Sequence, residues 1–256
     1  MVGSALVGSA AHIFCSDLEA PKVESGDLDH LFKSLRLRSG EIVTVSDGKS
    51  NWREFKIAAS IKGIQEARSA NEVGRLLSPT GPALTMFTSA PKIGVGFAFT
   101  GSSSAREVVQ RLTEIGVSEI CPITSARSSG KLDGAKASKL TDALARVARE
   151  ASMQSRRVTI PEISEPIIFA QLVSRWKLGS AICHPGGRSY WQLMREQSSG
   201  QNAGIHRLII GPEGGWTQAE VECGLPLVGL GNTVLRSETA AFVAGAILAA
   251  AWAQAT

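Results

Sequence analysis

The chain has 256 residues, 43% of them apolar and 20% charged, with a net charge of +4. That is enough apolar side chain to fill a core and too little charge to keep a chain unfolded, which fits a soluble globular protein and excludes a disordered one. The longest apolar run, Ala240 to Trp252, falls short of the roughly 20 residues of a spanning helix, and the amino terminus lacks the basic start and apolar centre of a signal peptide. A cytoplasmic protein without a membrane anchor is expected. Cys15, Cys121, Cys183 and Cys223 lie far apart, and the four histidines show no ligand spacing. Reduced thiols and no metal are therefore expected.

Residues 1–77 are predicted to form a small β-rich domain. Leu28 to Arg38 reads as a short helix closed by Gly40, and it carries Lys33, Arg36 and Arg38 in a local basic cluster. That cluster is either a solvated helix face or a phosphate contact. Glu41 to Ser46 alternates at period two, Asp47-Gly48 marks a hairpin turn, and Asn51 to Ala58 resumes the alternation. Ile61 to Ala67 is a further candidate strand. Several short strands with one small helix predict a compact barrel. Leu77-Ser-Pro-Thr-Gly-Pro82 then breaks the pattern and marks the boundary of a second domain, 78–256.

In that domain strands are predicted at Ala83–Thr88, Glu119–Ile123, Val158–Ile160, Ala181–Cys183, Leu208–Ile210 and Pro226–Leu230. Ser104-Ala-Arg-Glu107 reads as a capping box for a helix stopped by Gly116. Leu140, Leu144, Val147, Ala148 and Ala151 trace a second helix stripe. This alternation predicts a largely parallel sheet with helices on its faces. Between Ser125 and Arg157 there are eight Lys or Arg against three acids. The surplus favours a nucleic-acid partner over helix-end cations and a solvated lysine loop.

Two strand–loop–helix transitions close the chain. Leu208–Ile210 stops at Gly211-Pro-Glu-Gly-Gly215, after which Thr217 to Glu220 forms a capping box. Leu225–Leu230 stops at Gly231, and Ser237-Glu-Thr opens an Ala-rich helix. Both bring glycines and helix starts to the edge where open α/β sheets bind ligands. Two nucleotide fingerprints fail. Asp47-Gly-Lys-Ser50 has Val43 where a phosphate loop needs glycine, and Gly229-Leu-Gly231 has Val234 at the third glycine position.

These loops, with Leu230-Gly-Asn-Thr-Val-Leu-Arg-Ser-Glu-Thr-Ala240, resemble the signature loops of SPOUT methyltransferases. The likeness is greatest to the 16S ribosomal RNA uridine-N3 methyltransferases. Thr113 to Pro122 with Arg127-Ser128, Glu150 to Arg156 with Pro161, and Leu35 to Glu41 with Asp47-Gly48 support that branch, so the resemblance covers both halves of the chain. It implies an amino-terminal PUA-like β-barrel and a carboxy-terminal α/β trefoil-knot domain, acting as a homodimer on 16S rRNA or the 30S subunit. One departure is Lys92 to Gly101, apolar where relatives carry a basic loop.

The resemblance further implies that S-adenosylmethionine is held by Gly211, Pro212, Glu213, Gly214 and Gly215 with Leu230, Gly231, Val234, Leu235 and Thr239, and by His184 from a third loop that continues through Pro185 to Gly187. Arg236 and Glu238, beside the cofactor loop, are the catalytic candidates; the alternative is a helix cap and its ion pair. Lys33, Arg36, Arg38, Arg127, Gln154 and Arg156 are the expected RNA contacts. Competing readings are a SPOUT enzyme for another RNA position, in tRNA or 23S rRNA, and a non-catalytic RNA-binding or assembly protein.

Overall fold

The structure is a computed structural model, and it describes residues 6, 8–22, 37–58, 77–87, 90–128, 134–197 and 204–252. The helix predicted from Leu28, with Lys33 and Arg36, and the strand predicted at 61–67 lie outside the described residues. The chain divides into two compact units: Met1–Phe87 with Ser152–Ile160, and Thr88–Ala151 with Pro161–Thr256.

The first unit holds β1 (Ala11–Phe14), β2 (Ile42–Ser46), β3 (Asn51–Ile57) and β4 (Leu77–Pro79), paired in that order, with β5 (Leu84–Thr85) also on β3. The Asp47–Gly48 turn joins β2 to β3 as predicted. Gly48 takes φ 75°, and the Asp47 carboxylate accepts from the backbone N–H groups of Lys49, Ser50 and Asn51 at 2.8, 2.9 and 3.0 Å. These bonds satisfy donors that the tight turn leaves without ladder partners. On β2, Val43 and Val45 enter a core with Ile13, Phe55 and Ile57. Leu84–Thr85, predicted as the opening of the second domain, instead pairs with β3 here. The division consequently falls after Phe87, beyond the Pro/Gly break.

The polar side chains of β2 are buried as well. Thr44 and Ser46 are both 0% exposed, so their hydroxyls need partners inside the protein. His12 supplies two, Nδ1 to Thr44 Oγ1 at 2.8 Å and Nε2 to Ser46 Oγ at 3.2 Å, while Ser46 Oγ donates to the Val158 carbonyl at 3.1 Å. Val158–Ile160, predicted as a strand of the parallel sheet, thus belongs to the first unit. There it makes a single bridge, Thr159 to Gly48, and the Ile160 N–H donates to the Gly48 carbonyl at 3.0 Å. Val158 packs with Leu6 and Trp52, and Met153 joins the main core of the unit.

Burial pushes the His12 imidazole down from the ordinary 6.5 to about 4, opposed by its hydrogen bond with the Arg157 backbone and reinforced by the Arg156 charge. Between those two values the unfolded chain holds the proton that the folded chain rejects, so stability falls as pH drops from 6.5 towards 4. The difference corresponds to roughly 3 kcal/mol, lost within that window and no further below it. Melting curves from pH 7 to pH 4 should show a flatter acid limb for His12→Gln than for the parent. Parallel acid limbs would assign the loss to other groups.

The second unit is a parallel sheet, as predicted. Its strands are β6 (Gly94–Ala98), β7 (Glu119–Thr124), β8 (Glu162–Ile163), β9 (Ile167–Ile168), β10 (Ser180–Ser189), β11 (Arg207–Ile210) and β12 (Leu227–Gly229). The order is β12-β10-β11-β6-β7-β8, with β9 also on β7. The apolar stretch 92–101 is the surprise: it contains β6, every residue of which is buried between β11 and β7. A strand covered on both faces has no reason to alternate, so its run of apolar residues is a packing signature. A Cβ on Gly96 would lie 3.4 Å from the Trp176 ring and 3.5 Å from Ile209.

The helices are α1 (Ser102–Ile115), α2 (Gly134–Gln154), α3 (Phe169–Arg175), α4 (Tyr190–Gln197), α5 (Gln218–Val221) and α6 (Ser237–Trp252). α1 begins ahead of the predicted capping box, with Gly101 at its N-cap and no side-chain cap. It stops at Gly116, φ 109°, as predicted. Leu140, Leu144, Ala148 and Ala151 form the buried stripe of α2, with Val147 half-buried. α6 has no Lys or Arg and is apolar around most of its circumference.

Candidate functional site

Three loops at the carboxyl ends of neighbouring parallel strands converge on a cleft of about 280 Å³. β10 is irregular between Cys183 and Arg188, where both residues pair with Val228 of β12, so His184 to Gly187 is looped out of the ladder. The return is close. A Cβ on Gly187 would lie 2.6 Å from the Gly229 nitrogen, and one on Gly229 would lie 2.7 Å from the Gly187 carbonyl oxygen. The second loop follows β11 and the third follows β12, with α6 starting directly behind it. Ser237 Oγ at that start donates to the Gly211 carbonyl at 3.0 Å, which ties the second loop to α6.

The cleft floor is Trp216. Its indole N–H donates to the Cys183 carbonyl at 3.0 Å, and its ring packs on Phe169 with centroids 4.8 Å apart. Gly211 lies under the indole, where a Cβ would meet Trp216 Cε2 at 2.8 Å. Gly215 at φ 70° and Gly231 at φ 144° both hold backbone conformations that L side chains rarely adopt, and nothing lies within 4 Å of a Cβ on either. Thr217 caps α5 by the predicted box: its hydroxyl accepts from the Glu220 N–H, and the Glu220 carboxylate accepts from the Thr217 N–H at 2.8 Å. Burial pushes the Glu220 carboxyl up, but the N–H groups of Thr217 and Ala126, the Thr217 hydroxyl and the Arg127 charge together hold it below the usual carboxylate range.

Two side chains limit the chemistry. The Cys183 thiol in the cleft wall is pushed up to about 12 by burial, so it stays protonated at neutral pH and is a poor nucleophile. His184 Nδ1 accepts the Gly186 N–H at 3.0 Å. The proton of its neutral ring therefore sits on Nε2, and in this arrangement the imidazole offers that atom as a donor and not as a base.

Of the expected cofactor residues, His184, Gly211, Pro212, Glu213, Gly215, Leu230, Gly231, Val234 and Leu235 line the cleft. Gly214 and Thr239 do not. Gly214 turns outward, and a Cβ there would sit in ordinary contact with Arg127, 3.5 Å from its Cβ. Trp216, Ile210, Thr233 and Ala240 line the cleft without having been expected. The indole's role was invisible in a sequence where Trp216 is simply the residue before a cap. Arg236 is exposed and Glu238 half-buried, both beside the cleft and outside its lining. Glu238 accepts from the Thr100 hydroxyl at 3.4 Å.

The expected RNA contacts fall in different settings. Arg38 is exposed, and its backbone N–H donates to Glu41. Gln154 is exposed in the last turn of α2. Arg156 takes φ 56° in a Schellman ending: the Arg157 N–H reaches the Ser152 carbonyl at 2.9 Å and the Arg156 N–H the Met153 carbonyl at 3.2 Å. Its guanidinium then donates to the Ser9 carbonyl at 2.7 and 3.1 Å, bonds that offset the strain of a non-glycine residue there. Arg127 donates through NH1 to the carbonyls of Gly214 at 2.9 Å and Trp216 at 3.2 Å.

Comparison with known proteins assigns this geometry. A family model described as an RNA methyltransferase domain matches residues 88–249, which spans the whole parallel sheet and the cleft. The chain belongs to the RNA methyltransferase domain family. A second model, an RNA methyltransferase PUA domain, matches residues 25–64 of this methyltransferase. The Mycobacterium bovis protein named ribosomal RNA small subunit methyltransferase E is 29% identical over 237 residues, covering 89% of this methyltransferase and 86% of the relative. The Bacillus subtilis protein of the same name is 35% identical over 147 residues, covering 52% of this methyltransferase and 56% of that one. A solved Legionella pneumophila structure, described as a methyltransferase with bound cofactor SAM, shares the fold at a TM-score of 0.74 and 26% identity, covering 94% of this chain and 97% of its own. The α/β methyltransferase domain and PUA-like amino-terminal domain expected from the sequence are thus both present.

Proposed function

We propose that this methyltransferase transfers the methyl group of S-adenosylmethionine to N3 of a uridine in the 16S RNA of the small ribosomal subunit. The observation that carries the reading is the cleft at the carboxyl ends of β10, β11 and β12 in a chain of the RNA methyltransferase family. The residues present fit the cofactor. Gly215 and Gly231 leave room on two sides where a Cβ would otherwise stand, so loop backbone can meet a ligand directly. Ile210, Leu230 and Leu235 offer an apolar wall to adenine, and Glu213 offers acceptors to hydroxyl groups. Bound there, S-adenosylmethionine supplies a methyl group already activated by its sulfonium.

What remains for the chain is to align N3 and to ease loss of the imide proton. Arg236 and Glu238 stand on either side of Ser237, whose hydroxyl holds the Gly211 carbonyl, so both are anchored next to the cofactor loop. Arg236 orients the base and Glu238 relays the proton. Arg38, Arg127, Gln154 and Arg156, with Lys33 and Arg36, hold the RNA backbone, and the target uracil leaves its stack to reach the methyl group. A homodimer would cover α6, a largely apolar helix on which Ala246 and Ala250 are exposed. A ribosomal substrate places the protein in the cytoplasm.

The test is transfer of labelled methyl from S-adenosylmethionine to 30S subunits and to naked 16S RNA, with the product mapped by mass spectrometry. Label in 3-methyluridine of 16S RNA is the expected result. Label in another nucleotide, in 23S RNA or in tRNA would replace the substrate. No S-adenosylmethionine binding by calorimetry would leave an RNA-binding protein.

A further inference from the structure

The loop after β7 and the loop after β11 are far apart in sequence and fastened together in space. Arg127 NH1 bonds to two carbonyls of the second loop, Gly214 at 2.9 Å and Trp216 at 3.2 Å. One residue earlier, the Ala126 N–H donates to Glu220 Oε1 at 2.9 Å, while Glu220 Oε2 accepts from the Thr217 N–H and hydroxyl. The loop that reaches across is itself stiffened: Ser128 Oγ accepts from the Ser125 N–H at 2.9 Å, and the Ser128 N–H donates to the Ser125 carbonyl at 3.1 Å. These ties converge on Trp216 from Gly214 before it, from Thr217 after it and from its own carbonyl. The Trp216 indole is the cleft floor.

We propose that Arg127 is a positioning residue for the methyl-donor loop: with Ala126 and Glu220 it forms a latch that holds Gly214 to Thr217 in its cofactor-ready shape. Its contribution to the cofactor loop is made through Trp216, before RNA arrives. Both bonds use NH1, so Nε and NH2 remain for a phosphate, and one side chain joins the RNA-contacting segment to the cofactor cleft. This rests on the cleft being the S-adenosylmethionine site. The physical basis is general: hydrogen bonds from a charged donor to carbonyl oxygens are stronger than neutral ones.

Arg127→Ala and Arg127→Lys separate the roles. Arg127 is exposed, so both variants should fold. Calorimetry without RNA should find S-adenosylmethionine bound roughly 10-fold more weakly by Arg127→Ala. The lysine ammonium ends one bond short of NH1 and should fail to rescue cofactor affinity, although it restores charge. Amide hydrogen exchange in the ligand-free protein reads the latch without any cofactor. The Gly215 N–H, which donates to Pro212 at 2.8 Å, and the Thr217 N–H should exchange roughly 10-fold faster in both variants. Unchanged exchange at these amides overturns the latch, whatever the cofactor result. Wild-type protein that binds no S-adenosylmethionine, with faster exchange in the variants, would leave the latch standing and refute the cofactor assignment. Weaker RNA binding with cofactor affinity and exchange both unchanged would make Arg127 a phosphate contact alone.

Discussion

Gly187→Ala should lower the melting temperature by roughly 10 °C and abolish cofactor binding. A Cβ at this position collides with the carbonyl carbon of Val228, and it lies 2.6 Å from the Gly229 nitrogen and 2.7 Å from the Val228 nitrogen. These are backbone atoms of a paired strand, so no rotamer change relieves the overlap. β10 and β12 must separate, at about 3 kcal/mol or more, and for a protein of this size each kcal/mol is worth roughly 2–4 °C. The same separation displaces the looped-out His184 to Gly187 segment from the cleft. Gly186→Ala is the matched control. Its Cβ would meet only the His184 ring, at 3.3 Å, and that ring can yield. Circular-dichroism melts of the two variants decide the matter; equal melting temperatures would mean that the two strands part at little cost.

Gly211→Val should weaken S-adenosylmethionine binding roughly 100-fold, about 2.7 kcal/mol, while leaving most of the fold in place. A Cβ here sits 2.8 Å from Trp216 Cε2, 3.0 Å from Nε1 and 3.1 Å from Cδ2. The indole must tilt away, and tilting breaks its hydrogen bond to the Cys183 carbonyl and raises the cleft floor into the ligand space. Gly214→Val makes the contrast. It lies in the same glycine-rich loop but outside the cleft lining, with ordinary clearance from Arg127. Calorimetry with both variants should therefore rank Gly211 far above Gly214. Equal losses would show that the loop tolerates nothing larger than glycine anywhere, and that Trp216 has no special part.

The difference between these two glycines could not be read from Gly-Pro-Glu-Gly-Gly. Local signals were legible: the Asp47–Gly48 turn, the Thr217–Glu220 box, the Gly116 stop and the helix opened by Ser237 all depend on bonds within four or five residues. The cleft edge was legible for the same reason, since each strand-to-loop switch is a local change of pattern. Misreadings came where distant chain decided the outcome. Leu84–Thr85 has the composition of a core strand and joins β3, because β3 needs a partner at that end. Val158–Ile160 has β-branched residues and covers the polar face of β2 instead of entering the parallel sheet. β6 looked like an atypical loop because a strand buried on both faces carries no alternation. The bonds of Arg127 to the Gly214 and Trp216 carbonyls were not legible either, because those partners stand nearly ninety residues away.

The assignment of Ser152–Ile160 to the first unit has a consequence for how the protein is made. Synthesis proceeds from the amino terminus, so residues through Phe87 emerge while the segment that carries Met153 and Val158 does not yet exist. Until then Ser46 Oγ lacks its Val158 acceptor, and Leu6 and Trp52 lack the Val158 side chain that packs with them. The amino-terminal unit is begun first and finished only after α2 has been translated, an exception to the usual completion of one domain before the next. A nascent chain stalled before Arg157 should thus be more open to proteases in β1 and β2 than one released past Ile160.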